Sequence, residues 1–258
     1  MLALIAGQGG LPAYLAPQAD YVAALHGFEP AVVADETFRI EHLGNFLNAL
    51  KDRGVTEVCF AGAVRRPPVD PTEIDAATAP LVERITAVMG AGDDTLLRTV
   101  LDIFEEAGFR VRAAHDVAPD LLPDEGVLTQ ERPDAMARAN AERAAKVMGI
   151  IGSADVGQAC VVSGAQVIAL EANLGTDWML QSLKARTDGY GGLLYKAPKP
   201  GQDRRVDLPT IGPETVIAAA EANLHGIVIE AGGVMLLDLE KTLAEANARQ
   251  RFLWVRGA

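Results

Sequence analysis

Cysteine is scarce in this chain. Two residues in 258, Cys59 and Cys160, cannot build a disulfide framework. Both sit in apolar runs, "VCFAG" and "ACVVS", so they read as reduced core thiols rather than bridge partners or metal ligands. Positive charge is the second shortage. Lys and Arg number 23 against 35 Asp and Glu, a formal net charge of -12. That balance excludes a nucleic-acid partner, because phosphate contacts need a basic surface. It also excludes attraction to anionic lipid by charge alone. No apolar run approaches the roughly 20 residues of a membrane span. No positively charged stretch precedes the first apolar run, as a secretory signal requires, so the cytoplasm is the expected location. Internal repeats and low-complexity tracts are missing too. What remains is a chain almost half apolar and about a fifth charged, long enough for one large domain or two ordinary ones.

The first half alternates strand-like and helix-like segments. "LALIA" reads as a short buried strand, and "AYLAPQADYVAALHG" as a helix with Pro17 in its first turns. "EPAVVAD" is the expected second strand and "IEHLGNFLNALKDRG" an amphipathic helix closed by Gly54. "EVCFAGAV" is a third strand, "APLVERITAVMG" and "DDTLLRTVLDIFEEAGF" are helices, and "RVRAAHDV" is the last strand. This order predicts a parallel sheet covered by helices, a Rossmann-like α/β domain over residues 1–118. Ligands of such sheets bind beyond the carboxyl ends of the strands. The loops "GQGGLP" and "GAVRRPP" lie there.

The pattern then changes. "LLPDEGVLTQERPD" has proline and charge but no period, and residues 119–134 read as a linker. Residues 135–258 mix hairpin and helix signals and read as an α+β domain with its own core. "DAMARANAERAAKVMGIIG" is a long helix, and "QACVVSGAQVIALEA" a hairpin turning at Ser163 and Gly164. "TDWMLQSLKAR" is a helix, followed by the glycine-rich "TDGYGG" and the strand "LLYKAP". A helix from Pro213 to Asn223 and the strands "GIVIEAG", "VMLLD" and "FLWVRG" close the chain.

The opening loop suggests a phosphate site with one part missing. Gly7 and Gly9 suit a tight turn that lets backbone approach a ligand, and helix-start N–H groups bind phosphate oxygens. The dinucleotide fingerprint requires a third glycine for close helix–sheet packing, and Pro12 stands in its place. Asp35 or Glu36 passes for a ribose-binding acid, but an acid at a strand end is common. Three readings stand: a phosphate ligand other than a dinucleotide, a purely structural turn, and NAD. The first is preferred.

In the second half, Thr176 and Asp177 stand at a helix start after a buried strand, where an N-cap pair is the bland reading. Lys196 and Lys199 lie in the proline-stiffened "LYKAPKP", which also suits a solvated loop. Asp207 is flanked by Val206 and Leu208 and followed by Pro209, rigid surroundings for an ordinary turn aspartate. Together they supply carboxylates, a lysine and glycine turns. Hydrolysis of a phosphoanhydride needs such parts, carboxylates to hold Mg²⁺ or activate water and a cation to offset developing charge.

The motifs "IAGQGGLP", "CFAGAVRRP", "GDDTLLR", "DVGQACVV", "LGTDWML", "KAPKP" and "RVDLPTIG" run along the whole chain in one order. In these the chain resembles the LpxI-type UDP-2,3-diacylglucosamine pyrophosphatases of lipid A biosynthesis. The resemblance implies a Mg²⁺-dependent hydrolase that converts UDP-2,3-diacylglucosamine to lipid X (2,3-diacylglucosamine 1-phosphate) and UMP. It implies water attack at the β-phosphorus, and a lipid held between an N-terminal Rossmann-like and a distinctive C-terminal domain. It implies Asp207 as the critical acid and metal ligand. It carries substrate contacts to Gly9, Gly10, Ala61, Gly62, Gln158, Thr176, Asp177 and Lys196. It also implies brief contact with the cytoplasmic face of the inner membrane to collect substrate, and allows a homodimer. Two departures stand out: Leu174 replaces the usual acid before "GTD", and Trp178 replaces a small residue. The rival readings are a non-catalytic nucleotide-sugar sensor and, weaker, an NAD-dependent nucleotide-sugar dehydrogenase.

Overall fold

A computed structural model describes residues 1–64, 68–88, 93–187 and 191–257. Arg65, Arg66 and Pro67 of "GAVRRPP", residues 89–92, and Asp188, Gly189 and Tyr190 of "TDGYGG" lie outside the described residues. The chain divides into two compact units. The first comprises Met1–Pro119 and the short stretch Asp203–Val206; the second comprises Asp120–Gln202 and Asp207–Ala258. The backbone therefore passes from one unit to the other at three places.

The first unit carries a five-stranded sheet in the order β3-β2-β1-β4-β5. Its strands are β1 (Leu2–Ala6), β2 (Tyr21–Leu25), β3 (Glu36–Phe38), β4 (Glu57–Ala61) and β5 (Arg110–Arg112), all parallel. The order reverses between β1 and β4, the switch point beyond which ligands of doubly wound sheets bind. β1 and β2 are continuous apolar runs, as expected of strands covered on both faces. Helix α2 (Leu43–Asp52) lays Leu43, Phe46, Leu47 and Leu50 into the core at helical spacing. Helices α3 (Ala79–Val88) and α4 (Asp93–Glu106) follow, and Leu101, Ile103 and Phe104 of α4 enter the same core.

The expected long first helix is instead a five-residue helix α1 (Leu11–Leu15), a 3₁₀ turn (Ala16–Gln18) and then β2. Pro17 lacks the N–H an α-helix needs to continue, and "YVAAL" is too uniformly apolar for an amphipathic helix. "EPAVVAD" is no strand; Val33 is 92% exposed, and β3 pairs with β2 in its place. "RVRAAHDV" is strand only through Arg112, with a short helix α5 (Ala114–Val117) after it.

The second unit holds a six-stranded sheet, β6-β13-β11-β9-β7-β8. β9 (Leu193–Lys196), β11 (Gly226–Glu230) and β13 (Phe252–Arg256) are parallel neighbours. β7 (Ala159–Ser163) and β8 (Gln166–Leu170) add an antiparallel hairpin. It turns at Gly164 and Ala165, one residue later than expected, both at positive φ. Helix α6 (Ala135–Gly152) packs on one face of the sheet. α7 (Gly175–Leu183), α8 (Pro213–Glu221) and α9 (Leu239–Ala248) pack on the other. The sequence pattern does not predict α9. A two-stranded parallel sheet of β10 (Thr210–Ile211) and β12 (Met235–Leu236) stands apart from the large one.

Residues 119–134, expected as a linker, are for the most part built into this unit. β6 (Gly126–Val127) is an antiparallel edge strand on β13. Leu128 N–H donates to Leu253 O, and the Thr129 hydroxyl accepts from Leu253 N–H. Asp134 caps α6 by accepting from Ala137 N–H. Proline and charge mark an edge strand as readily as a hinge.

Cys59 and Cys160 are buried free thiols, and burial pushes both up to about 12. Among the described residues, no helix is long and apolar enough to cross a membrane.

Candidate active site

In the first unit, the loops after β1 and β4 meet backbone to backbone. Gly7 N–H donates to Ala61 O at 2.8 Å, Gln8 N–H to Ala63 O at 3.0 Å and Ala63 N–H to Gln8 O at 2.8 Å. This closeness explains two of the glycines. A Cβ on Gly7 would lie 2.6 Å from Ala63 O, and one on Gly62 would lie 2.7 Å from Gln8 O. Gly62 also has φ +90°, which disfavours any side chain. Gly9 is different: its φ is +105°, and nothing lies within 4 Å of the place a Cβ would take. Gly7 is thus fixed by the neighbouring loop, whereas Gly9 leaves open space over its backbone. Gly10 caps α1 without a side chain. That helix is a single short stretch with Pro12 in its first turn, so its dipole is a weak anion anchor. Asp35 and Glu36 are engaged inside the unit. Asp35 accepts from Val22 N–H; Glu36 accepts from the Tyr21 hydroxyl and from Arg53.

In the second unit the site residues are joined by side chains. Lys196 ends β9 and is only 7% exposed, which overturns the loop reading for this lysine. Its Nζ donates to Thr176 Oγ1 at 2.7 Å. Thr176 Oγ1 donates in turn to Glu171 Oε1 at 2.8 Å. The other oxygen of Glu171 accepts from Gln158 N–H at 3.0 Å. Burial pushes the Lys196 ammonium below the usual lysine range, and the charges of Glu171 and Asp177 oppose that. Thr176 and Asp177 lie in the first turn of α7, whose dipole favours negative charge there. The Gln158 side-chain Nε2 is buried with no hydrogen-bond partner among the described residues. Lys199, by contrast, pairs with Asp155 at 2.5 Å.

Asp207 lies in a separate stretch. It is half-buried and is the first residue of the second unit after the excursion Asp203–Val206. Leu208 beside it is buried, and Pro209 O accepts from Met235 N–H at 2.8 Å, so the following backbone is tied to β12. Among the described residues, no three His, Cys, Asp or Glu side chains converge as a metal cage. The two departures noted in the sequence face outward: Leu174 is 63% exposed and Trp178 58%.

Gln158 and Thr176 thus bond one carboxylate, Lys196 joins them through Thr176, and Asp177 adds its charge near Lys196; Ala61 and Gly62 come against the loop that holds Gly9 and Gly10. Glu171 was not singled out in the sequence. Its signal was there: an acid just past a strand end, five residues before a threonine at a helix start.

Two family models match the chain, the LpxI N-terminal domain over residues 1–121 and the LpxI C-terminal domain over residues 124–254. The chain is 38% identical over 262 aligned positions to the UDP-2,3-diacylglucosamine pyrophosphatase LpxI of Caulobacter vibrioides. That alignment covers 95% of this chain and 94% of the relative. Matched in both halves, and nearly end to end with one relative, the chain belongs to the LpxI family.

Proposed function

We propose that this protein hydrolyses the diphosphate of UDP-2,3-diacylglucosamine, the compound in the Caulobacter relative's name, to lipid X and UMP in the cytoplasm. The observation that carries the proposal is the buried Lys196 ammonium, hydrogen-bonded to Thr176 at the first turn of α7. A buried cation is expensive unless anions answer it, and a diphosphate brings such charge. The unpartnered Gln158 Nε2 is a donor that a phosphate or sugar oxygen would satisfy.

In this reading Gly9, Gly10, Ala61 and Gly62 offer backbone to the substrate. Lys196 and the first turn of α7 offset charge as the bridging P–O bond breaks. Asp207 orients the attacking water and accepts its proton. Water adds to the β-phosphorus, its oxygen stays on lipid X, and UMP leaves with the bridging oxygen. Mg²⁺ commonly binds through one or two carboxylates together with phosphate oxygens and water. Asp207 would hold it, and the ion would supply further neutralisation of phosphate charge. The exposed Leu174 and Trp178, one turn apart at the start of α7, support contact with a lipid surface as substrate is collected.

The test is incubation of purified protein with UDP-2,3-diacylglucosamine and Mg²⁺ in ¹⁸O-labelled water. Label is expected in lipid X and not in UMP. Label in UMP would move the attack to the α-phosphorus. Binding without turnover would make the protein a sensor.

A further inference from the structure

Glu171 links Gln158 and Thr176 and, through Thr176, Lys196. It sits just past β8, and its backbone N–H is paired to Ala159 O at 2.9 Å. Gly157 has φ +90°, and a Cβ there would lie 2.3 Å from Glu171 O. The backbone on either side is thus held closely enough to place the carboxylate. Its two oxygens then take two different donors, the Thr176 hydroxyl and Gln158 N–H.

We infer that Glu171 is a positioning residue for phosphoanhydride hydrolysis, fixing the direction of the Thr176 hydroxyl and holding the Lys196 ammonium charged and aimed. The inference rests on the function proposed above and deepens it. A threonine hydroxyl has one proton to give. Here that proton goes to Glu171, so Thr176 turns a lone pair toward Lys196. An ammonium has three N–H donors. With one spent on Thr176, the remaining two are directed by the geometry of that bond. Without the acid, the hydroxyl rotates and its proton competes with the ammonium for the same oxygen.

Charge follows the same line. Among the described residues, the groups facing Lys196 are Glu171 from the end of β8, and Thr176 and Asp177 from α7. Its neighbours across the sheet, Ala159 on β7 and Ile229 on β11, are apolar. Glu171 and Asp177 are therefore the charges opposing deprotonation of a lysine that burial already disfavours as a cation. The exposed Leu174, at the start of α7, is apolar and adds no charge near Lys196.

The experiment compares wild-type protein with Glu171→Gln, a change that keeps shape and removes charge. UMP release is followed across pH, and the Lys196 side chain is titrated by NMR. The variant is expected to lose roughly 10- to 100-fold in kcat/KM, the usual loss when an orienting partner is removed. The alkaline limb of its pH profile is expected to move acidward by about one unit or more, in step with the Lys196 titration. The sign follows from the chemistry: removing a nearby negative charge lets the ammonium deprotonate at lower pH. A limb and a Lys196 titration unmoved from wild type overturn the inference, even if the rate falls. Should Glu171→Gln not fold, Glu171→Asp keeps the charge but draws it back by one methylene. It should lower kcat/KM and move the limb by less, and wild-type values for both would overturn the inference. A wild-type protein with no turnover at any pH would instead sink the proposed function, and the NMR titration would still judge the role of Glu171.

Discussion

Each unit buries one acidic or basic side chain among the described residues, and the two are answered in opposite ways. Glu41 in the first unit is 4% exposed and Lys196 in the second is 7% exposed. Glu41 is met by the Arg39 guanidinium and by Asp70 N–H, and these pull its carboxyl down to about 2. Its own carbonyl also accepts from Asp75 N–H, so this acid ties down the chain after β4. Lys196 is met directly by a hydroxyl, with Glu171 and Asp177 near by, and burial outweighs those charges and pushes it below the usual lysine range. A fully answered ion is a structural part. An ion left partly unanswered is what a ligand of opposite charge can complete. The candidate residues of each unit differ in the same way. Those of the first offer backbone, held by close loops, and Gln158, Thr176 and Lys196 of the second are linked through Glu171.

The largest expected break falls on the second unit. Asp207→Ala should lower turnover on the order of 10³-fold, the usual scale for a lost general base, and leave the melting temperature nearly unchanged. Near-normal UMP release from the folded variant would remove Asp207 from the chemistry. Loss of folding would make it a turn-forming residue.

The first unit should break differently, through stability. Gly62→Ala places a methyl 2.7 Å from Gln8 O at φ +90°. It should cost about 2–3 kcal/mol by denaturant unfolding, from overpacking and backbone strain together. Gly9→Ala, with the same handedness of φ but open space, should cost only about 1 kcal/mol. Its effect should appear instead as weaker substrate binding. Equal losses of stability in the two variants would erase the distinction between a glycine required by its neighbour loop and one that leaves space for a ligand.

The smallest effect tests the answered ion. A carboxyl with a depressed folded value stabilises above its ordinary value and loses that stabilisation as pH falls toward the folded one. Glu41→Gln should therefore melt below wild type at pH 7. The gap should shrink as pH falls from 4.5 to about 2, the ordinary and folded values of Glu41. A gap independent of pH would mean that Glu41 acts by shape alone.

Patterns of period and punctuation were legible in the sequence. "LALIA", "IEHLGNFLNALKDRG" and "DAMARANAERAAKVMGIIG" form the elements that their apolar spacing predicts. Errors arose where one signal served two structures. "YVAAL" fits a buried strand or a buried helix, and only its parallel pairing with β1 decides. "LLPDEGVLTQERPD" fits a hinge or an edge strand, and the partners of Gly126 and Val127 on β13, Val255 and Trp254, lie 129 and 127 residues further along the chain. The charged parts of the site were visible as residue types, but not their relation. Glu171 and Lys196 are 25 positions apart, and only the hairpin β7–β8 with the pairing of β7 on β9 brings them to one hydroxyl. Gly7 looked like a ligand glycine and is accounted for by Ala63 O.

The excursion Asp203–Val206 has a consequence for how the protein is made. Arg205 joins Glu105 by a 2.7 Å bond across 100 positions, and Val206 packs against the core of the first unit. A ribosome releases the first 119 residues well before it reaches this stretch. At ordinary rates of synthesis the delay is on the order of ten seconds. Throughout it, the partly finished first unit shows the nascent chain and its chaperones a surface that Val206 later covers. Translation speed over residues 120–206 thus sets how long that surface is open, and synonymous codons there can change yield without changing a single side chain.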